Sequence, residues 1–346
     1  MIQRISRILM TAVVVSLVAT ACTSTSSPDE IVLLTHDAFA LSEGTLERFT
    51  EETGVRIVVE TAGDAGTMLN QAILTKDNPI ADVMYGIDNT FLSRAIDNDL
   101  FIPYRAAEID KVDEVLRVEG DPVTPIDFGD VCINYDIDGL DGLGIAPPRD
   151  LSDLTDPIYK DLLVVEDPAT SSPGLAFLLA TIAAYPDGAA YDWKAYWQDL
   201  FANGVAVTAD WSVAYTARFT RSGGDRPLVV SYASSPPAEV FFGDLDAAPT
   251  GIMTEGCFRQ IEYAGILAGT GREATAQQLV DFLLSRNTQE DIPLNMFVYP
   301  ARRDVELPEV FAEFTILPES PVIMEPATID ANRERWIKEW TTIARS

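Results

Sequence analysis

The sequence predicts an α/β protein of two lobes, each a mostly parallel sheet flanked by helices, joined by a hinge of two chain crossings. Strand and helix signals alternate from Glu30 onward, which is typical of parallel sheets with helices on both faces. The chain of 346 residues is also longer than one hydrophobic core usually holds. Strand and helix signals continue after the predicted second lobe. We therefore expect the chain to leave the first lobe, form the second and return to the first, rather than to form two consecutive domains.

The first 21 residues have the pattern of a signal peptide. Arg4 and Arg7 precede an apolar run over residues 8–18, which is too short to span a bilayer and ends in small residues. The segment Ala19-Thr20-Ala21-Cys22 resembles a bacterial lipobox, with alanine where leucine is usual. We therefore expect residues 1–21 to be removed, Cys22 to be lipidated, and residues 22–30 to form a flexible tether. Ordinary cleavage after Ala21 with release is the alternative.

The first lobe is predicted from alternating elements and from the polar residues that follow its strands. The ends of three strands carry His36 and Asp37, Asp64, and Asp88 with Asn89. Ligands of parallel sheets bind beyond the carboxyl ends of the strands, so a site is expected there. The predicted strands and helices, in chain order, are Ile31–Leu34, Leu41–Thr53, Val55–Glu60, Thr67–Leu74 and Ala81–Gly86.

The second lobe begins near Pro125, and its expected elements continue to the point where the chain returns. We expect lobe I to comprise residues 31–126 and 261–346, and lobe II residues 127–260. The predicted elements from here to the C-terminus are Asp130–Tyr135, Leu151–Leu154, Leu162–Val165, Ser172–Ile182, Trp193–Ala202, Gly204–Thr208, Val213–Thr220, Pro227–Tyr232, Gly256–Tyr263, Ala274–Ser285 and Ile329–Ala344.

One helix start in lobe II has the features of an anion or hydroxyl receptor. Ser172 followed by Pro173 predicts an N-cap with proline in the first helical position. Free amide groups and a positive dipole end then face outward beside the hydroxyls of Thr170, Ser171 and Ser172. Because serine caps begin many helices that bind nothing, this start alone does not establish a ligand site.

Composition limits the partners and the chemistry. The formal net charge is −30, and removal of residues 1–21 takes it to −32, which disfavours nucleic acid and anionic lipid surfaces. The chain has one histidine and no Cys-x-x-Cys, acidic calcium loop or nucleotide-binding glycine pattern, so no metal or cofactor is predicted. Cys132 and Cys257 are the two cysteines of the exported chain, and they either form a disulfide or remain buried thiols.

Six segments in one order carry a family resemblance. They are HDAF at 36–39, ADVMYGIDN at 81–89, EDPATSSPGL at 166–175, ADWSVAY at 209–215, LVVSYASSP at 228–236 and IPLNMFVYP at 292–300. Together they resemble the thiamine-binding proteins of bacterial ABC importers, which are periplasmic binding proteins of the type II fold. The resemblance implies a non-catalytic, monomeric, extracytoplasmic receptor, anchored to the membrane by lipid, that delivers thiamine or its phosphates to a permease.

The resemblance also implies a set of ligand-binding residues. Aromatic side chains would face the cationic thiazolium, Asp64 would accept from the exocyclic amine, and the serines would hold the hydroxyethyl or phosphate arm. The residues implied are His36, Asp37, Asp64, Ala65, Ser171, Ser172, Trp211, Tyr232, Ala233, Ser234, Ser235 and Phe297.

Several positions depart from the family pattern. His36 and Ala238 stand where the family has aromatic residues, Phe297 where tryptophan is usual, and Ala65 where glycine is common. A neutral histidine still stacks or donates a hydrogen bond, whereas a protonated one repels a thiazolium; pairing with Asp37 is its purely structural role. These departures imply weaker thiamine binding or a shifted ligand such as a phosphorylated form or a related pyrimidine.

The sequence leaves two other functions open. A receptor for another small organic cation, such as a polyamine, would use the same acids and aromatics, but it would leave the serine cluster without a purpose. A thiamine-degrading enzyme of related fold would need a cysteine nucleophile, for which Cys132 is the candidate. Asp130 lies two residues from it on the same strand face, Val131 and Ile133 favour a packed strand, and His36 is far away in sequence.

Overall fold

A computed structural model describes residues 29–346, so the predicted signal peptide and Cys22 lie outside the described residues. The strands form one mixed sheet. They are β1 (Asp29–Thr35), β2 (Val55–Thr61), β3 (Val83–Asp88), β4 (Phe101–Ile102), β5 (Thr124–Asp136), β6 (Leu163–Glu166), β7 (Ala206–Thr208), β8 (Leu228–Tyr232), β9 (Thr250–Leu267) and β10 (Tyr299–Pro300).

Helices cover both faces of this sheet. They are α1 (Glu43–Thr53), α2 (Ala65–Leu74), α3 (Leu92–Asp97), α4 (Ile137–Leu143), α5 (Ser172–Ala184), α6 (Trp193–Ala202), α7 (Trp211–Val213), α8 (Ser235–Gly243), α9 (Glu273–Leu284), α10 (Arg286–Asn295), α11 (Glu309–Phe314) and α12 (Pro326–Ala344). Short 3₁₀ turns connect several of them, and a π-helical turn over Ala214–Arg218 follows α7.

Two groups of parallel strands flank a central antiparallel pair, as the two-lobe prediction requires. The strand order is β2-β1-β3-β9-β5-β8-β6-β7, with β4 added to β9 and β10 to β5. Strand β1 is parallel to β2 and β3, and β6 is parallel to β7 and β8. The central strands β5 and β9 are antiparallel to each other and to their outer neighbours.

The long strands β5 and β9 carry the chain from one group to the other. The later part of β9 pairs with β3, from Asp88↔Glu262 to Val83↔Ile266. The later part of β5 pairs with β8, from Val131↔Tyr232 to Tyr135↔Leu228. Each of these strands therefore borders both lobes. The exact lobe boundaries, 31–126 with 261–346 and 127–260, remain a prediction.

The C-terminal helix contacts both groups of strands and helices. Although the predicted boundaries place it in lobe I, α12 packs against α6 as well as α3. The ring of Trp340 lies 5.4 Å from that of Trp197 in a T-shaped arrangement. On the other side, the guanidinium of Arg333 lies over the ring of Phe91 at 5.4 Å. Helix α12 is thus a third connection between the lobes, beside the two strands.

A disulfide joins the two crossing strands. Cys132 on β5 and Cys257 on β9 are bonded, with their Cα atoms 4.4 Å apart. Both residues are buried beside Ala233 and Ile252. The bond lies at the irregularity in the β5–β9 register between Val131 and Ile133. The structure therefore resolves the alternative that the sequence left open in favour of the disulfide.

Most predicted elements are present, but some boundaries were wrong. Strand β5 extends six residues before Asp130, and β9 extends well beyond Gly256–Tyr263 on both sides. Residues 151–154 do not form a helix; a 3₁₀ turn covers Asp153–Thr155. The helix expected at Val213–Thr220 begins earlier, because the Asp210 side chain accepts a hydrogen bond from the backbone N–H of Val213 at 2.7 Å.

The interior of lobe II explains the long apolar run of α5. Residues 172–182 of this helix are all buried, since the sheet lies on one side and other helices on the other. The predicted core aromatics Trp193, Tyr196 and Trp197 are buried on α6, and Phe201 is partly buried. This packing fixes the start of α5 at the level of the strand ends, where the candidate site lies.

Candidate functional site

A cavity of about 360 Å³ lies between the two lobes, at the ends of their strands. Its volume is in the range usual for small-molecule sites. Eight of the twelve predicted site residues line it: His36, Asp37, Asp64, Ser172, Trp211, Tyr232, Ser235 and Phe297. The structure therefore brings residues from six separate sequence segments together around one cavity.

The other four predicted residues lie behind the cavity wall. Ser171 is the N-cap of α5, accepting from the backbone N–H of Gly174 at 3.5 Å, so the prediction that Ser172 is the cap was wrong by one residue. The Ala65 N–H donates to Asp64 Oδ1 at 2.7 Å. The Ala233 N–H donates to the Asp130 carbonyl at 2.8 Å, and the hydroxyl of Ser234 donates to the Phe297 carbonyl.

Asp88 and Asn89, at the end of β3, do not line the cavity. Asp88 Oδ1 accepts from the Thr90 and Phe91 backbone N–H groups. Asn89 bridges to β9 through the Arg259 carbonyl and the Ile261 N–H. Asp88 therefore stabilises the turn after β3, and Asn89 connects that turn to β9. Among the three predicted strand ends of lobe I, only the first two reach the cavity.

Asp64 lies where the lobes meet. It caps α2, and its Oδ1 also lies 3.4 Å from the backbone N–H of Ser172, while its Oδ2 lies 3.4 Å from that of Trp211. These are the first residues of α5 and α7, on the opposite lobe. Burial raises the pKa of Asp64, and hydrogen bonds from Ser171 and from the Ala65 N–H oppose part of that rise. One carboxylate thus accepts from three helix starts.

Aromatic rings and hydroxyls form the wall on lobe II. The rings of Trp211 and Tyr215 stack at 5.1 Å, and Tyr232 meets Trp211 edge-on at 6.4 Å. Trp211 Nε1 donates to Ser231 Oγ at 2.9 Å, and that hydroxyl lies 2.9 Å from Ser235 Oγ. These bonds hold the indole in one orientation, with its stack at the cavity surface.

His36 pairs with Glu262, not with Asp37. Its Nε2 lies 3.3 Å from Glu262 Oε2, and Gln260 links the other Glu262 oxygen (2.9 Å) to the Tyr232 hydroxyl (3.0 Å). Burial alone would lower the pKa of His36, but Glu262, aided by the charges of Asp64 and Asp127, raises it from 6.5 to about 9. The histidine is therefore protonated at neutral pH.

A glycine on β3 allows His36 to take this position. Gly86 has φ +94°, and a Cβ there would lie 2.2 Å from His36 Cδ2. Any other residue would both strain the backbone and push the imidazole out of place. The Gly86 position in the ADVMYGIDN segment thus contributes directly to the site.

The lining residues that escaped prediction include Tyr215, Glu239, Phe242, Glu262, Asn295 and Met296. Tyr215 carried a signal, because it lies one helical turn after Trp211. The Tyr215 hydroxyl donates to Glu239 Oε1 at 2.7 Å, and this bond joins α8 to the aromatic stack. Phe242 packs on Phe297 at 5.1 Å and supplies an aromatic face near the position of Ala238. Glu262 lies inside a long strand and carried no local signal.

Among the residues that the structure describes, no cysteine lines the cavity. Cys132, the candidate nucleophile of the enzyme alternative, is buried in the disulfide and does not line the cavity. Within residues 29–346, no group of three or more histidine, cysteine, aspartate or glutamate side chains could hold a metal ion. In the same range no helix is long and apolar enough to cross a membrane.

The fold and this interlobe cavity define a class of protein. The chain belongs to the bacterial extracellular solute-binding proteins, whose sequence profile matches residues 78–314. Members of this class act outside the cytoplasm and capture solutes, and the class is not one of enzymes. The predicted family membership and the two-lobe type II fold are thereby confirmed.

Individual relatives are similar to this chain over most of its length. The chain is 30% identical over 318 residues to a thiamine-binding periplasmic protein of Salmonella typhimurium, covering 90% of this chain and 92% of the relative. It is 30% identical over 314 residues to the protein of the same name in Escherichia coli, with the same coverage. A solved periplasmic thiamin binding protein superposes with a TM-score of 0.81 at 28% identity, covering 91% of this chain and 96% of that one.

Proposed function

We propose that this protein captures thiamine outside the cytoplasm and delivers it to an ABC importer. The observation that carries the proposal is the cavity lining, in which stacked aromatics face carboxylates. Asp37, Asp64, Glu239 and Glu262 line the cavity, and within the described part of the chain no lysine or arginine does. Such a surface suits a flat organic cation, for which each good cation–π contact contributes on the order of 0.5–2 kcal/mol. The names of the relatives agree with this choice.

The parts of thiamine have matching partners around the cavity. The Trp211–Tyr215 stack offers a face for the thiazolium. Glu262 and Asp64 supply acceptors for the exocyclic amine of the pyrimidine. Ser172 and Ser235 line the cavity, and serine hydroxyls suit the hydroxyethyl arm. The complete set of predicted ligand residues remains part of this proposal.

Delivery requires that the cavity open and close. Because β5 and β9 border both lobes, bending at these two strands would separate the lobes and expose the cavity. The chain is proposed to act as a monomer, tethered through a lipidated Cys22 and recognised by the permease. Metabolic labelling with a fatty acid, lost in Cys22→Ala, tests the anchor.

The function is tested by calorimetry with thiamine on protein freed of endogenous ligand. Binding is expected, with small molecules released from natively purified protein matching thiamine by mass spectrometry. Spermidine, offered as a competitor, serves as the control for a general cation receptor and is expected not to displace thiamine. Absence of thiamine binding, or displacement by spermidine at equal concentration, would overturn the proposal.

A further inference from the structure

Among the described residues, His36 is the one side chain lining the cavity that can carry a positive charge. Its Nε2 lies 3.3 Å from Glu262 Oε2, and both side chains are nearly buried. Four carboxylates line the same cavity, those of Asp37, Asp64, Glu239 and Glu262. A small organic cation that enters is therefore attracted by the same acids that hold the proton on His36.

The titratable groups that face this ion pair from the neighbouring elements are acids and tyrosines. They are Asp37 beside His36, Asp64 at the start of α2, Tyr85 and Asp88 on β3, Asp127 on β5 and Tyr232 on β8. Asp88 and Asp127 are the cross-strand neighbours of Glu262. Burial raises the pKa of Asp88 to about 7 and that of Asp127 well above its ordinary value, so these two carboxyls also hold protons near neutral pH.

His36 can lose its proton without losing its contact with Glu262. A neutral imidazole that keeps its hydrogen on Nε2 still donates to Glu262 Oε2. The other oxygen of Glu262 accepts from Gln260 Nε2 at 2.9 Å in either state. The hydrogen bonds are thus the same before and after, and what changes is the charge of the pair, from neutral to negative.

We propose that a bound thiamine cation and the proton on His36 compete for Glu262, so that capture of thiamine expels this proton into the solvent. The inference rests on the proposed function, which supplies a ligand with a fixed positive charge. Two cations held close together in a buried site repel each other, whereas one cation can take the place of the other beside the same carboxylate. An aromatic residue, which is usual in the family at the position of His36, has no such proton to lose.

The primary test follows the ring nitrogens of His36 by NMR in the wild-type protein. Their resonances distinguish a protonated from a neutral imidazole, and His36 is the one histidine of the chain. Without ligand, the pKa of about 9 keeps the ring mostly protonated at about pH 8. Saturating thiamine is expected to lower that pKa by at least about one unit, so that about half of the rings are neutral at the same pH. A ring that stays protonated in the complex overturns the inference and leaves the proposed function intact. If thiamine does not bind at all, both fail.

A second test measures thiamine affinity by calorimetry at two pH values at which the thiazolium ring stays intact. The wild-type affinity is expected to rise by at least about threefold from about pH 7 to about pH 8.5, because less work is needed to remove the proton from His36. His36→Gln keeps a donor for Glu262 but has no titrating ring, so most of this rise should disappear. An equal rise in the variant would assign the proton to Asp88 or Asp127 and overturn the inference.

Asp192→Asn is the control for loss of a carboxylate elsewhere. Asp192 caps α6 through the N–H groups of Lys194 and Ala195 and does not line the cavity. This variant is expected to keep the wild-type rise in affinity with pH. If His36→Gln does not fold, the ring-nitrogen measurement on the wild-type protein decides alone.

Discussion

The two sides of the cavity differ in how they are built. On one side, the helix-start wall consists of Ser172, Trp211, Tyr215, Ser235 and Glu239, which lie at or near the starts of α5, α7 and α8. Its residues are held by local caps and by stacking between residues close in sequence. Its contribution to binding is accordingly mainly contact with rings and hydroxyls, and Glu239 adds one carboxylate.

The opposite side, the strand-end wall, consists of His36, Asp64, Glu262, Met296 and Phe297. These residues come from four distant segments and are held by long-range bonds such as the one between His36 and Glu262, which are 226 residues apart. Its contribution is charge. The comparison indicates that aromatic contact and electrostatic selection are separable, so a change in one wall should affect one property more than the other.

The largest predicted effect is on folding stability, and it comes from the ionisation of His36 in the strand-end wall. Because its folded pKa of about 9 lies above the ordinary 6.5, protonation stabilises the folded state. This contribution is complete below pH 6.5 and is lost as the pH rises to about 9; at 1.36 kcal/mol per pKa unit it is at most about 3 kcal/mol. His36 is the one histidine of the chain, so proton NMR follows its titration without ambiguity.

The contribution of His36 to the free energy of unfolding is measured by denaturing the wild-type protein and His36→Gln at pH 6 and above pH 9. The difference between the two proteins should shrink as the pH rises. Glu262→Gln should lower the His36 pKa by at least about one unit, because the main opposing charge is gone. Glu239→Gln, which changes the other wall, should leave that pKa nearly unchanged. A titration near pH 6.5 in the wild type would contradict the buried ion pair.

The next largest predicted effect is on thiamine affinity, and it comes from a change in the helix-start wall. Trp211→Ala removes the stacked ring and should lower thiamine affinity by at least about tenfold, or about 1.4 kcal/mol. The His36 titration should not change, since the pairing of His36 lies on the opposite wall. Calorimetry measures the affinity, with Tyr191→Ala, an exposed aromatic on lobe II away from the cavity, as the control. Unchanged affinity would exclude Trp211 from the site.

The smallest effect is expected at the rim where the walls meet. Phe242 lines the cavity but is 72% exposed, and its main contact is with Phe297. Phe242→Ala should weaken thiamine binding by less than about fivefold and leave the melting temperature nearly unchanged, because little buried area is lost. A large loss of affinity would mean that Phe242 closes over the ligand and replaces the aromatic that Ala238 lacks.

The residues of the two walls differ in why they could be predicted from the sequence. Serine-proline at a helix start and Trp211 after Asp210 are local patterns that pointed to part of the helix-start wall, with an error of one residue at the cap of α5. Tyr215 and Glu239 of the same wall were not predicted as site residues. Asp64 was found because it follows a strand and begins a helix. The family resemblance supplied the roles of these residues, which local patterns alone did not.

Glu262 and Met296 could not be found in the same way. Glu262 lies in the middle of a strand of 18 residues, and only the pairing of that strand with β3 and β5 brings its side chain to His36. Met296 and its neighbour Asn295 end α10, a helix that the sequence analysis did not predict. Pairing with the adjacent Asp37 was the structural alternative considered for His36, but the structure pairs His36 with Glu262, an acid that is distant in sequence.

The cystine between β5 and β9 limits where the molecule can bend. Because Cys132 and Cys257 lie on the lobe II side of the crossing, the two strands are fastened to each other there and cannot separate or slide. We therefore expect the proposed opening to be concentrated in the short stretch on the other side, around residues 125–130 and 259–262. Reduction of the disulfide would allow the two strands to bend at a second position, and the lobes on either side of the cavity would be less rigidly connected.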